Sequence, residues 1–344
     1  MPEKSNNITL KEVAARANVS VSTVSRVINN DSHVNTKMRN AVLKAKEELG
    51  YYQNSIARSL KTSSTHTIGF VASDISNAYL MTAAREIENL INKHKYNLVV
   101  CSTEDNKEQE LEHLMLLNGR NIDGLVLNGT GLNEDFVLQM NKRIPTILVH
   151  RRIKSPKFVG DLVDSDNEQG AYLLTKHLIQ LGHKKIFVIK GPDILSNAVE
   201  RFEGFKKAMM EINIKIDNQY PYIYNGNFFL QSGYDAIEYM CSLPTRPTAI
   251  IAFNNMMSLG ALKGLKHKNI NAPEDISIAS TNFIENIELM TVRPTVMVHD
   301  ANQLGIRAGE ALLERLSDNS IKSREFIFNA RIIHGNAVSF PNDI

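Results

Sequence analysis

The stretch ITLKEVAARANVSVSTVSRVIN, Ile8–Asn29, decides how the amino-terminal part of this 344-residue chain folds. Thr9 precedes an apolar-periodic run and Glu12 follows three residues later. At that spacing a hydroxyl and a carboxylate satisfy each other's orphan amides at a helix start. Leu10, Val13, Ala14 and Ala17 recur at helical period and form one apolar face. Asn18-Val19 reads as a tight turn, and Ser20 as the cap of a second short helix. There Val24, Val27 and Ile28 point inward, while Ser22, Arg26 and Asn29 share the opposite side. Asn35 caps a third helix with the core stripe Met38, Val42, Ala45 and Leu49, and Gly50 is its stop signal. Short polar side chains and one arginine on an exposed helix suit a DNA major groove, where arginine makes two bonds to guanine. The alternative is a three-helix bundle that touches no nucleic acid.

Charge separates these alternatives. Residues 1–64 hold 10 Lys and Arg against 5 Asp and Glu, a net +5, whereas the remaining 29 bases and 32 acids give −3. A near-neutral total of +2 therefore hides a basic head on a mildly acidic body, and attraction to phosphates belongs to the head.

TLKEVAARANVSVSTVSRVIN, the helix ending ELGY, and NSIARSLKT together resemble the head and hinge of the lactose/galactose repressor (LacI/GalR) family. The resemblance implies that Val21, Ser22 and Arg26 reach base edges, within a wider DNA-facing set of Thr9, Ser20, Thr23, Ser25, Asn29 and His33. It also implies that Asn54–Thr62 forms a hinge helix on DNA, with Leu60 opening a minor-groove step. Leucine beside Ala57 and Arg58 is the composition that kinks a duplex from that groove, although Leu60 also suits ordinary helix packing. Gln53 stands where the family often has proline.

About 280 residues follow the head, enough for two further domains. With 43% hydrophobic and 22% charged residues the composition is that of a soluble globular protein. No apolar run reaches membrane-spanning length and MPEKSNNITLKEV has no secretory core, so a cytoplasmic protein without membrane contact is expected. Cys101 and Cys241 have no metal-ligand spacing and read as two reduced, buried thiols. No metal or other cofactor is expected. KTSSTHT, at 61–67, is the one obvious linker.

From Thr67 the chain alternates between two periods. TIGFVAS, NLVVCS, IDGLVLN and PTILVH read as buried parallel strands, separated by helices over 78–94, 107–119 and 134–142. The pattern restarts after Asp166 with helix 168–181 and strand KIFVIK. Helix 197–211, a strand near PYIY, helix 230–241, strand TAIIAF, helix 256–268 and strand ISIAS follow, and EFIFNARIIHG reads as the last strand. Two consecutive arrays of this kind give two doubly wound α/β lobes with a ligand cleft at the strand carboxyl ends.

VDSDNEQGAYLLTKHLIQLGHKKIFVIKG, RFEGFKKAM and PTAIIAFNNMMSLGAL resemble the same family's sensor body. This implies an all-α helix-turn-helix head (1–53), a hinge helix and linker (54–66), and a periplasmic-binding-protein-like body (67–344). Three crossings, near Val163, His299 and Phe326, would divide that body into an N-lobe of about 67–162 and 300–325 and a C-lobe of about 163–298 and 326–340. The resemblance also implies a homodimer on a pseudo-palindromic double-stranded DNA operator.

Strand ends nominate Asp74, Asn77, His150, Arg151, Phe228, Asn254, Asn255 and Asn282 for the cleft, together with Arg201 opening a helix. Arg151 could instead face solvent. The resemblance adds Tyr79 and His299, and implies that Arg201 bonds ligand oxygens, Phe228 stacks on an apolar ligand face, and Asn254 and Asn282 clasp hydroxyls. Asn255 and Asn282 stand where the family commonly has carboxylates, which predicts an electropositive cleft for an acidic or phosphorylated sugar. The alternatives are that asparagine simply donates to a neutral hydroxyl, and that Asp161 or Asp164 restores acidity. His183 reads as a structural residue at a helix–strand junction.

The expected function is a sequence-specific transcriptional regulator, a repressor by family default, controlled by a sugar-like effector. An activator or a corepressor-dependent regulator fits the same sequence. A solute-binding protein lacks support from the basic head. A sugar-modifying enzyme lacks a residue set, since no phosphate loop, nucleophile elbow or HExxH is present.

Overall fold

The structure is a computed structural model that describes residues 8–28, 31, 33–51 and 64–342. Asn29, Asn54, Ala57, Arg58, Leu60 and the expected hinge helix lie outside the described residues. The chain divides between Thr65 and His66 into two compact units.

The first unit contains α1 (Leu10–Ala17), α2 (Val21–Ile28) and α3 (Thr36–Glu48). Each expected cap forms. The Glu12 amide donates to Thr9 Oγ1 at 3.4 Å while the Thr9 amide donates to Glu12 Oε2 at 2.6 Å. Thr23 N donates to Ser20 Oγ and Lys37 N to Asn35 Oδ1. Asn18 takes a left-handed φ of 54°, which makes the turn, and Gly50 takes 61° after α3. Val13, Ala14, Val24, Val27, Val42, Ala45 and Tyr51 form the core. Met38 is 48% exposed, so the apolar stripe of α3 starts one turn later than expected. Tyr51 instead closes the core from beyond the helix.

The second unit holds two six-stranded sheets. The first sheet contains β1 (Thr67–Ala72), β2 (Asn97–Ser102), β3 (Gly124–Leu127), β4 (Thr146–Val149), β5 (Asp161–Ser165) and β11 (Arg324–Phe328). Their order is β11-β5-β4-β3-β1-β2, all parallel. Helices α4 (Ala78–Lys93), α5 (Lys107–Gly119), α6 (Glu134–Asn141) and α11 (Ala301–Ser317) belong to this lobe, and apolar cores fill the space between sheet and helices.

The second sheet contains β6 (Ile186–Lys190), β7 (Ile223–Asn225), β8 (Ala249–Ala252), β9 (Ser277–Thr281), β10 (Thr295–Val298) and β12 (Arg331–Ile333). Its order is β12-β10-β9-β8-β6-β7, parallel except where β12 runs antiparallel to β10. Helices α7 (Asn167–Gln180), α8 (Ser196–Glu211), α9 (Leu230–Cys241) and α10 (Asn255–His267) complete the second lobe.

The chain passes between lobes at Asp166, at His299-Asp300 and at Asn329-Ala330. The His299 crossing agrees with expectation, but the other two move. Val163 is not a crossing; it lies inside β5, a strand of the first sheet. Two aspartates interrupt its apolar run, which is why DLVDS did not read as a strand. Phe326 lies inside β11, and EFIFNARIIHG is two strands in two different sheets. The lobe boundaries shift accordingly, to Ser165 and Phe328 in place of 162 and 325. Cys101 is buried as expected, whereas Cys241 is exposed because it ends α9 on the solvent side.

Candidate functional site

On the head, Val21, Ser22 and Arg26 are exposed together on α2, while Val24 and Val27 are buried. Ser20 Oγ lies 2.8 Å from both Ser22 Oγ and Thr23 Oγ1, so these hydroxyls form one polar patch at the start of α2. Thr9 is exposed and Ser25 half-buried. The exposed His33 ring lies 3.0 Å from Asp31 Oδ1. Backbone and side-chain donors of His33 hold the Asp31 carboxyl below its usual range. This patch is what an α-helix needs to present base-edge donors and acceptors to a groove.

The body's cleft opens where β1, β2, β4, β8 and β9 end. Partly open to solvent, it brings together Asp74, Asn77, Tyr79, His150, Arg151, Arg201, Phe228, Asn254 and Asn282. Sequence reasoning missed Asp105, Asn128, Asn197 and Phe229, which also line it. Asp105 follows β2 at a positive φ, and a strand-end rule applied to NLVVCS would have found it.

Arg201 is the centre of the site, but it does not open its helix; it lies in the second turn of α8. Its Nε donates to Asn167 Oδ1 at 2.9 Å, one terminal nitrogen donates to Asn282 Oδ1 at 3.0 Å, and the other donates to the Phe253 carbonyl. Burial pulls its pKa down to about 10, against the opposing pull of Asp164. The guanidinium is thus fixed by the protein, and the Phe228 ring lies 5.9 Å from it. The glycine at 191 permits this, because a β carbon there would lie 2.2 Å from that ring. Gly204 permits α8 to reach α7, since its β carbon would lie 2.1 Å from the Glu168 carbonyl oxygen.

The remaining side chains are held as firmly. Asn254 caps α10 through Met257 N and donates to the Phe228 carbonyl at 2.6 Å. Asn77 caps α4. Asp74 accepts from the Ser76 amide and hydroxyl. His150 Nδ1 lies 3.1 Å from Asp164 Oδ1, behind the cleft wall. Arg151 is buried and paired bidentately with Asp105, which rules out the solvent-facing alternative.

Two expectations are corrected. His299 does not line this cleft but a neighbouring cavity that shares Tyr79 with it. The electropositive cleft is not formed either: Arg151 and Arg201 are matched by Asp74 and Asp105. Asp161 is elsewhere, bonded to Arg315 and Arg324. His183 is structural, as expected. Its Nε2 donates to the Ser339 carbonyl, leaving Nδ1 to accept from the Thr248 hydroxyl, each at 2.9 Å.

Comparison with known proteins decides the family. Residues 9–54 match the family of bacterial regulatory proteins, lacI family, and residues 65–336 match periplasmic binding proteins and the sugar binding domain of the LacI family. The chain belongs to the LacI family. HTH-type transcriptional repressor PurR of Aliivibrio salmonicida is 32% identical over 327 residues, covering 94% of this chain and 97% of that protein. PurR of Vibrio atlanticus is also 32% identical, over 97% and 99% of the two chains. The lac repressor dimer bound to operator and the anti-inducer ONPF shares the fold at a TM-score of 0.81 and 24% identity, over 97% of this chain and 100% of that one. As a LacI-family protein the chain is a transcriptional regulator and not an enzyme. The helix-turn-helix head and periplasmic-binding-protein-like body are those of the family. No helix among the described residues is long and apolar enough to cross a membrane.

Proposed function

We propose that this chain is a cytoplasmic, homodimeric repressor of a pseudo-palindromic operator, released or engaged by a small effector held in the cleft. Val21, Ser22 and Arg26 read base edges, and residues 54–62 bend the operator centre with Leu60 as the wedge. An isolated segment of nine residues is too short to hold a helix alone, which suits it to switching.

One observation carries the effector reading. His150 Nε2, Arg151 Nε and Asn197 Oδ1 are buried without a hydrogen-bond partner among the described residues, and each belongs to a residue lining the cleft beside Phe228. A ligand bearing several donors and acceptors and one flat apolar face satisfies them. Because the cleft's formal charges cancel, the acidic or phosphorylated sugar expected from Asn255 and Asn282 loses its electrostatic basis. A neutral sugar or a neutral heterocyclic base fits the cleft better. Among fold neighbours at 23–24% identity, one structure contains cellobiose and another ribose.

Calorimetry with neutral sugars, nucleobases and sugar phosphates, paired with operator binding by fluorescence anisotropy, tests this reading. Neutral ligands should bind and shift operator affinity. Binding confined to sugar phosphates would overturn the neutral-ligand assignment, and an absence of any site-specific DNA binding would overturn the repressor.

A further inference from the structure

In a parallel α/β lobe, strand amino ends and the carboxyl ends of the preceding helices share one edge, opposite the ligand cleft. In the first lobe that edge collects the turns leading into β2, β3, β4 and β11, and residues 64–66 bring the chain from the head into β1 there. These turns carry Lys93, Lys95, Arg120, Lys142, Arg143 and Lys322, all exposed. None of the six forms an ion pair among the described residues. Arg143 bonds only the neutral Asn118 side chain, at 2.7 Å.

Two acids share these turns. Asp123 accepts from the Thr67 amide at 3.1 Å, and Asp318 accepts from the Ser320 amide at 2.9 Å. The helices keep acids at their other ends: Glu108 and Glu110 in the first turn of α5, Glu134 and Asp135 in that of α6. Glu88 lies more than a turn before Lys93 on α4, and Glu314 near the end of α11 is spent on Arg307 and Arg324. Six cations against two acids give these turns 6 − 2 = +4, on a body whose total is −3. Helix dipoles favour cations after a helix, but that applies to both lobes. The corresponding turns of the second lobe pair Lys215 with Asp217 and Lys268 with Glu238. The first lobe leaves all six unpaired.

We infer that this edge of the body is a second DNA-binding surface, attracting phosphates of the same duplex that the head reads. The inference rests on the repressor reading above. Chain connectivity supports it, because residues 63–66 span at most about 14 Å and so tether the edge near the segment assigned to the operator centre. Attraction between exposed charges reaches about 8 Å at physiological ionic strength. Unpaired cations held within that range add a sequence-independent term to affinity, which salt weakens by returning counterions to the duplex. The head then selects the site, and the body strengthens the grip.

The test uses the full-length protein and a random-sequence duplex, with binding followed by fluorescence anisotropy over a series of salt concentrations. Two double variants, Lys93→Ala with Lys95→Ala and Lys142→Ala with Arg143→Ala, each remove two cations after one helix. At least one of them should weaken binding and flatten the slope of log affinity against log salt, by about 0.9 for each phosphate no longer neutralised. Lys184→Ala with Lys185→Ala is the matched control. It also removes two exposed cations after a helix, α7, but at the amino ends of the second sheet, which point away from this edge. Its slope should equal that of the unaltered protein. An unchanged slope in both double variants, or an equal fall in the control, overturns the surface. Random DNA reports phosphate attraction whether or not an operator is recognised, so the surface and the repressor reading fail separately.

Discussion

Asn77 and Asn255 face one another across the mouth of the cleft and exchange two side-chain hydrogen bonds, Asn255 Nδ2 to Asn77 Oδ1 at 3.0 Å and the return bond at 3.4 Å. One caps the first helix of the N-lobe and the other begins α10 of the C-lobe, so the pair fastens the lobes directly. Only two amides can do this reciprocally, because a carboxylate at either position accepts but does not donate. The asparagine at 255, a departure from the family's usual aspartate, is thereby explained. Asn255→Ala should favour the open lobes. If the cleft ligand binds the closed form, its apparent affinity should fall roughly threefold to tenfold, in line with a net 0.5–1.5 kcal/mol for the pair. Calorimetry on the variant measures this, and unchanged affinity would remove the latch from the mechanism.

Arg201 cannot be replaced by another cation. Its fork is used in three directions at once, toward Asn167, Phe253 and Asn282, and a lysine reaches one of them. Arg201→Lys should therefore leave buried amides unpaired and cost about 2–4 kcal/mol of body stability. Urea unfolding monitored on the body checks this. Loss of effector binding with full stability would instead mean that the side chain acts on the ligand alone.

Much of this arrangement was legible in the sequence, for identifiable reasons. The caps at Thr9, Ser20 and Asn35 depend on neighbours within three residues, so local spacing suffices to find them. Strand-end positions such as Asp74, His150 and Asn254 follow from the topology of doubly wound sheets. Asp161 was hidden for the opposite reason. A buried aspartate inside a strand looks like a loop until Arg315, 154 residues away, is seen to neutralise it. The cleft's charge balance was misjudged because the Arg151–Asp105 pair likewise joins residues with no local signature. His299 was assigned to the wrong cavity, since sequence gives its place at a crossing but not which side of the crossing its ring takes.

The Asp161 cluster makes a pH prediction. The carboxylate is fully buried and accepts from Arg315 at 2.6 and 2.9 Å and from Arg324 at 2.7 Å, tying β5 to α11 and β11. Burial pushes its pKa up, but the hydrogen bonds and charges of the two guanidiniums outweigh that and hold it below the usual 3.8. A carboxylate depressed in the folded state contributes its stability in full above its unfolded pKa, and loses it as pH falls through the folded value. The body should therefore lose this contribution only below about pH 4. Asp161→Asn should remove about 3–5 kcal/mol at neutral pH by stranding the buried Arg315 guanidinium, whereas Arg324 keeps its pair with Glu314. Melting curves from pH 3 to 7 compare the two proteins, and an equal loss at every pH would show that the pair is not the cause.

Within the head, folding and recognition are carried by different residues, and two substitutions should separate them. Thr9 closes a capping box, so Thr9→Ala removes an acceptor from α1 and takes one of two donors from the Glu12 carboxylate, leaving the backbone amide of residue 9. That should cost the head about 1 kcal/mol and weaken binding to all DNA alike, through the fraction folded. Arg26 is exposed on α2 and contributes nothing to the apolar core of Val13, Val24, Val27 and Val42. Arg26→Ala should leave melting of the head unchanged within about 0.5 kcal/mol. It should cost about 1–3 kcal/mol at one operator position, and much less on random sequence. Calorimetric melting of the head, set beside anisotropy on operator and scrambled duplexes, gives both numbers for both variants. If Arg26→Ala weakened specific and random DNA equally, the arginine would be holding phosphate, and base readout would have to rest on Val21, Ser22 and the deformability of the duplex.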